Sequence, residues 1–152
     1  QSCGGEMSIV WRPSNPLTLT GNYGFTHSEF LEYNDGSGID YSGNNVPYVP
    51  THTINLDGAY SWRIKDCMSL TLGIGYNGTG KIYWTEDNSA CQAFYSQFNT
   101  RLALHTNKFT LTIWGKNLTN KKFNTFYFIS AGRGYEQHCK PAQIGADLNI
   151  NF

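Results

Sequence analysis

Four cysteines and four histidines are the residues of this 152-residue chain best equipped for metal or nucleophilic chemistry. A zinc-type site needs short clips such as C-x-x-C, because one turn must aim two donors at one ion. Cys3, Cys67, Cys91 and Cys139 form no such clip, and His27, His52, His105 and His138 are scattered over separate segments. No nucleophile elbow or H-E-x-x-H pair occurs, and the glycine-rich GIGYNGTGK (73–81) lacks the spacing of a phosphate-binding loop. The chain therefore reads as a non-enzyme with no metal and no other cofactor. Asn77 and Asn117 open matches to the glycosylation sequon, but both fall in strand-like segments, where chance is the better account. Sparse charges remain. Asp57, Arg101, Lys116 and Asp147, with Asn99, sit among small polar residues and are the candidate functional side chains of a polar wall.

Strands must position them. Residues recur with period two in seven segments: 6–12, 17–27, 51–62, 69–78, 94–105, 109–117 and 143–152. In the third segment Ile54, Leu56, Tyr60 and Trp62 alternate with Asn55, Asp57, Ala59 and Ser61. In the sixth, Phe109, Leu111 and Ile113 alternate with Thr110, Thr112, Trp114 and Lys116. A side-chain period of two places one set on each face of a sheet. No stripe of helical period competes, so the chain is expected to be all-β and antiparallel. The last two segments are expected to form a hairpin that brings Lys116 close to Asp147, an opposite-charge pair that would help fix register.

Composition narrows the surroundings. Aromatic residues make up 15% of the chain and charged residues only 14%, against about 25% charged in an average soluble domain. Formal net charge is zero, which removes the electrostatic case for nucleic acid. No run approaches the roughly 18 apolar residues of a membrane helix. Connectors alternate between short (13–16, 63–69, 105–108) and long (31–49, 83–91, 121–140), as in outer-membrane barrels with short periplasmic turns and long outer loops. Trp11, Tyr60, Trp62, Phe109 and Phe152 fall beside the short turns, and Phe25, Phe30, Tyr83, Trp84, Phe94, Phe126 and Phe128 toward the long loops. That suits two aromatic girdles. A soluble sandwich or lipocalin-like barrel shares the alternation. Its polar face, however, would carry Lys and Glu, where this chain has Thr, Asn, Gly and Ser.

Several stretches resemble the C-terminal part of TonB-dependent outer-membrane receptors: GNNVPYVPTHTINLDGAYSW (43–62), GTGKIYWTEDN (78–88), FNTRLAL (98–104), WGKNLTNKKF (114–123) and PAQIGADLNINF (141–152). They stand in the family's order and at about its spacing. The resemblance implies a section of a barrel of about 22 strands with a plugged lumen, in the outer membrane of a Gram-negative bacterium. Energised uptake of an iron chelate, haem, cobalamin or a glycan is the implied function. Implied partners are the remaining strands and plug of the receptor, outer-membrane lipid, the energy-coupling TonB complex acting through the plug, and the barrel-assembly machinery. Leu148, Ile150 and Phe152 match the family's C-terminal assembly signal.

Neither a plug nor a TonB-engaging motif is recognisable, and the chain opens QSCGGE without an initiator Met. With seven strands, an odd number for a closed barrel, it reads as a single unit (1–152) that is part of something larger. The rival is a self-contained eight-stranded barrel, an adhesin or anchor, with its extra strand at 31–41. At the outer rim, Tyr41, Tyr48, Tyr83, Trp84 and Tyr135 are candidates for substrate contact, with headgroup anchoring or loop packing as the structural alternative. A Cys91–Cys139 disulfide would staple the outer loops in an oxidising exterior, with Cys3 as the competing partner for either.

Overall fold

The computed structural model of the chain describes residues 1–151. It contains eleven strands: β1 (Ser2–Ser14), β2 (Leu17–Ser28), β3 (His52–Lys65), β4 (Met68–Thr79), β5 (Ile82–Tyr83), β6 (Cys91–Gln92), β7 (Tyr95–Thr106), β8 (Phe109–Lys116), β9 (Asn124–Ser130), β10 (Arg133–His138) and β11 (Gln143–Ile150). Seven form one antiparallel meander in the order β1-β2-β3-β4-β7-β8-β11. These are the seven strands the alternation predicts. The two small ribbons, β5–β6 and β9–β10, lie inside the second and third long connectors, where the turn-rich sequence hid them. The first connector holds only isolated bridges, Glu29–Asn45 and Asn34–Asp40. The eighth strand that the rival self-contained barrel needs at 31–41 is therefore not formed, and the sheet stays open with β1 and β11 as its edges.

Register converts the alternation into two continuous faces. Leu17, Tyr60, Leu72, Leu102, Ile113 and Ala146 follow one another across six strands. One residue along, the row reads Thr18, Ala59, Gly73, Arg101, Trp114 and Gly145. The apolar face is open to the surroundings: Ile74, Ile113 and Leu148 are each at least half exposed. Contiguous apolar surface on this scale is not kept in water by a monomer. Lipid is the medium that suits it, because in a closed barrel every second residue of a strand meets hydrocarbon. No strand of the main sheet contributes a large buried hydrophobe, and the few buried apolar residues include Ile82, Trp84 and Phe123 in the connectors. Packing within the chain is thus concentrated at one end of the sheet, where the long connectors gather.

Candidate functional site

The polar face carries a trough of about 600 Å³ lined by Thr20, Asp57, Asn99, Arg101, Trp114 and Lys116 among others. It brings together four of the five expected wall residues. Glycines make room for the long ones: a Cβ at Gly73 would sit 2.8 Å from Nε of Arg101, so the arginine lies across β4 where no side chain stands. Asp57 leans over Gly75 in the same way. Among the described residues no Lys or Arg side chain lies within salt-bridge distance of a carboxylate, and the carboxylate contacts of that kind are His27–Glu29 and His138–Glu136. Asp57 and Arg101 therefore face the trough without a charged partner.

The expected Lys116–Asp147 pair does not form. Lys116 stands opposite Gln143 and Asp147 opposite Thr112, four residues apart along the hairpin, or about 13 Å at strand rise. Trp114 lies between them. Its Nε1 donates to Asp147 Oδ2 at 2.8 Å, its ring lies under Lys116 Nζ at 5.1 Å, and its six-membered ring rests on Gly145. Alternation had set Trp114 on the polar face without disclosing that it would occupy the space between the two charges.

Nearer the long connectors, a row of carboxamides crosses the wall. Asn22, Asn55, Asn77 and Gln97 are consecutive cross-strand partners on β2, β3, β4 and β7. A second cavity, about 670 Å³, lies beside this row beneath the base of the third connector. That base is held by Asn117, which sequence reading dismissed as a chance sequon within a strand. It lies just beyond β8 with φ of 49°, and at 2% exposure it is the most deeply buried large side chain. Its Nδ2 donates to Lys121 O and Lys140 O, both at 3.0 Å, and its Oδ1 accepts from Lys121 N at 3.0 Å. Its own N–H donates to Asn99 Oδ1, tying the wall to the connector. Asn120, also at φ 49°, accepts from Ala142 N at 3.0 Å. Both belong to the stretch GKNLTN, and an asparagine tolerates the left-handed region better than most residues; that was the available signal.

Above this base the connectors pack on one another. Tyr48, at φ 65°, donates its hydroxyl to Tyr127 O at 2.8 Å and its N–H to Tyr83 O at 2.8 Å. Its ring meets Trp84 edge-on at 5.5 Å and stacks on Phe126 at 5.6 Å. Trp84 is buried, so it is a packing residue and not a headgroup anchor. Tyr135 stacks on Phe128 at 5.2 Å and stays exposed. Tyr83 carries Lys81 over its ring at 4.2 Å. Tyr41 stacks on Tyr33 at 5.7 Å; the Tyr33 hydroxyl donates to Glu86 at 3.4 Å, and the negative charge of Glu86 holds the phenol above its ordinary pKa. Asn88 and Asn45 exchange hydrogen bonds, joining the first connector to the second. Of the rim candidates, Tyr48, Tyr83 and Trp84 join connectors to one another, whereas Tyr41 and Tyr135 stack within their own.

All four cysteines are free thiols, so the expected Cys91–Cys139 disulfide is absent. Cys91 is held in β6 opposite Tyr83, and Cys139 donates its thiol to Lys121 O at 3.2 Å. Leu148 and Ile150 lie on the exposed apolar face of β11, opposite Leu111 and Phe109. Phe152 lies outside the described residues.

A family model described as "TonB dependent receptor-like, beta-barrel" matches residues 3–118. The ferric yersiniabactin uptake receptor FyuA from Yersinia pestis superposes with a TM-score of 0.85 at 21% identity, over 99% of this chain and 23% of that one. The siderophore receptor PiuA from Acinetobacter baumannii gives 0.74 at 18% identity, over 97% and 21%. The ferric-catecholate import receptor Fiu from K12 E. coli gives 0.72 at 18% identity, over 98% and 20%. At these identities the likeness is one of fold, and the chain spans under a quarter of each receptor.

Proposed function

The chain belongs to the TonB-dependent receptor β-barrel family, and from that premise we propose that it is a section of barrel wall in a receptor for energised nutrient uptake across a Gram-negative outer membrane. One observation carries the reading: a sheet with one continuous exposed apolar face and one polar face bearing unpaired charges, open at both edges. The apolar face suits lipid. The polar face suits a lumen in which Asp57 and Arg101 meet a plug or a passing ligand. The edges β1 and β11 suit pairing with further strands, since unpaired backbone groups in hydrocarbon cost several kcal/mol each. A ferric chelate is the substrate class to test first, because the superposed receptors carry such substrates in their names.

The test has two arms. The receptor that contains this segment, expressed in cells stripped of their own iron-chelate receptors, should restore iron-limited growth on a ferric chelate, and loss of the energy coupler should abolish it. The isolated 152-residue chain in detergent should show no compact, heat-modifiable species. A compact barrel formed by the chain alone would overturn the assignment to a larger wall.

A further inference from the structure

The cavity beneath the base of the third connector has an unusual lining. Asn55, Asn77, Gln97 and Gln143 present carboxamides from β3, β4, β7 and β11, while Lys116 and Lys140 bring the only charges. Among the described residues no carboxylate or imidazole lines it. Three of the amides lie in one cross-strand row, and among the described residues none of the four side chains forms a hydrogen bond within the chain. Each amide therefore keeps a free acceptor and two free donors. The roof is fixed: Phe123 stacks on Tyr95 at 3.7 Å and 11°, and the Asn117 carboxamide holds Lys140 in place.

Hard metal ions are bound by carboxylates, and transition metals by imidazole and thiolate. This lining offers neither carboxylate nor imidazole, and the one thiol, Cys139, is engaged with Lys121 O. It is fitted to grip the outside of a complex, leaving a bound metal with its own ligand. Amides that both donate and accept match carbonyl and hydroxyl oxygens, and two ammonium groups tolerate negative charge and oppose positive charge. Resting on the receptor-wall reading above, we propose that this chamber is a recognition subsite for an intact, oxygen-rich chelate of neutral or negative charge, and that Lys116 and Lys140 exclude cationic ones.

Two probes that differ in a single charge test this: a linear ferric trihydroxamate with a free terminal ammonium, and the same complex N-acetylated and neutral. Binding to the purified whole receptor is read by intrinsic tryptophan quenching. The neutral probe should bind about tenfold more tightly than the cationic one. The Lys116→Gln/Lys140→Gln pair should erase that preference, and Asn55→Asp/Asn77→Asp should reverse it. Gln97→Glu, a single change, should shift it in the same direction if the double variant fails to assemble. Equal binding of both probes to the unaltered receptor, or a preference unmoved by all three variants, overturns the proposal. These readouts are separate from transport: uptake that persists when the chamber proves indifferent to charge leaves the receptor reading standing, and binding without energised uptake does the reverse.

Discussion

Tyr48 gives its hydroxyl to the backbone oxygen of Tyr127, 79 residues further along the chain, at 2.8 Å. The same residue touches the second connector through Tyr83 O and the Trp84 ring, so one side chain and its backbone join all three long connectors. It does so at φ 65°, a conformation that costs a residue with a Cβ about 1–2 kcal/mol. Such strain persists only where surrounding contacts over-determine it.

Tyr48→Gly separates the two effects. It relieves the backbone and removes the ring. If the ring is what joins the connectors, hydrogen exchange should accelerate together in 29–51, 80–94 and 117–142 while β3, β4 and β7 are unchanged. Tyr48→Phe should release mainly the third connector, which loses only the bond to Tyr127. Slower exchange in Tyr48→Gly would show that the turn alone matters.

Asn117 predicts a local stability effect. Asn117→Gly keeps a backbone free to take the positive φ but deletes two donated bonds and one accepted bond. At about 1 kcal/mol for each buried hydrogen bond, the base of the third connector should lose about 3 kcal/mol of protection. Exchange at Lys121 N and Cys139 N is the measurement, since both amides close the base. Asn117→Asp should also destabilise, because a carboxylate cannot donate to Lys121 O and Lys140 O.

The two faces of the sheet were legible in the sequence because period two is a local property, repeated in every strand. Position along a strand is not local. Lys116 and Asp147 were correctly set on one face yet proved four residues out of register, since hairpin register depends on how residues 117–142 close. That closure depends on Asn117, whose role lies in contacts to Lys121 and Lys140 that no spacing rule marks. Trp84 is a similar case: an aromatic beyond a strand end resembles a girdle residue, and only packing against Tyr48 reveals it as buried.

The corrected register has its own test in double-mutant cycles. Trp114→Phe and Asp147→Ala share the 2.8 Å bond and should be non-additive by about 1 kcal/mol. In a Trp114→Ala background, which removes the one side chain that both touch, Lys116→Ala and Asp147→Ala should add to within about 0.3–0.5 kcal/mol. Strong coupling in the second cycle would restore the direct ion pair. Gly73→Ala should shift the arginine: its new Cβ meets Nε and Cγ of Arg101, displacing the guanidinium without altering wall charge.

Acid should loosen the connectors only late. Asp35, Asp40 and Asp87 are held below the ordinary carboxylate value of 3.8 by hydrogen bonds, from the Ser37 hydroxyl and amide, the Ser42 hydroxyl and amide, and chiefly Thr85 with Ser89, respectively. A folded-state pKa lowered in this way contributes stability that is present above the unfolded value and lost as pH falls through the folded one. Pepsin cleavage within 29–51 and 80–94 should therefore stay slow down to pH 3.8 and rise below it. Ser37→Ala, which removes the largest cause at Asp35, should speed cleavage in 29–51 already above pH 3.8, shrink its further rise below that pH, and leave 80–94 unchanged.

Thiol labelling tests the orientation of the wall. Cys3 pairs with His27 at the long-connector end of the sheet, and Cys91 lies in the second connector. Cys67 sits in the turn between β3 and β4 at the opposite end. All three are exposed, whereas Cys139 is half-buried and hydrogen-bonded. In intact cells a membrane-impermeant maleimide should label Cys3 and Cys91 quickly, Cys139 slowly, and Cys67 only after the outer membrane is breached. Labelling of Cys67 before breaching would reverse the orientation and remove the chamber from the outer side. Reduction sharpens the readout. Cys91 and Cys139 lie in neighbouring segments, because Gln92 Oε1 accepts from Asn124 N at 2.9 Å. A pair that labels only after reduction would show that the outer surface oxidises these two thiols to the staple their loop positions suggested.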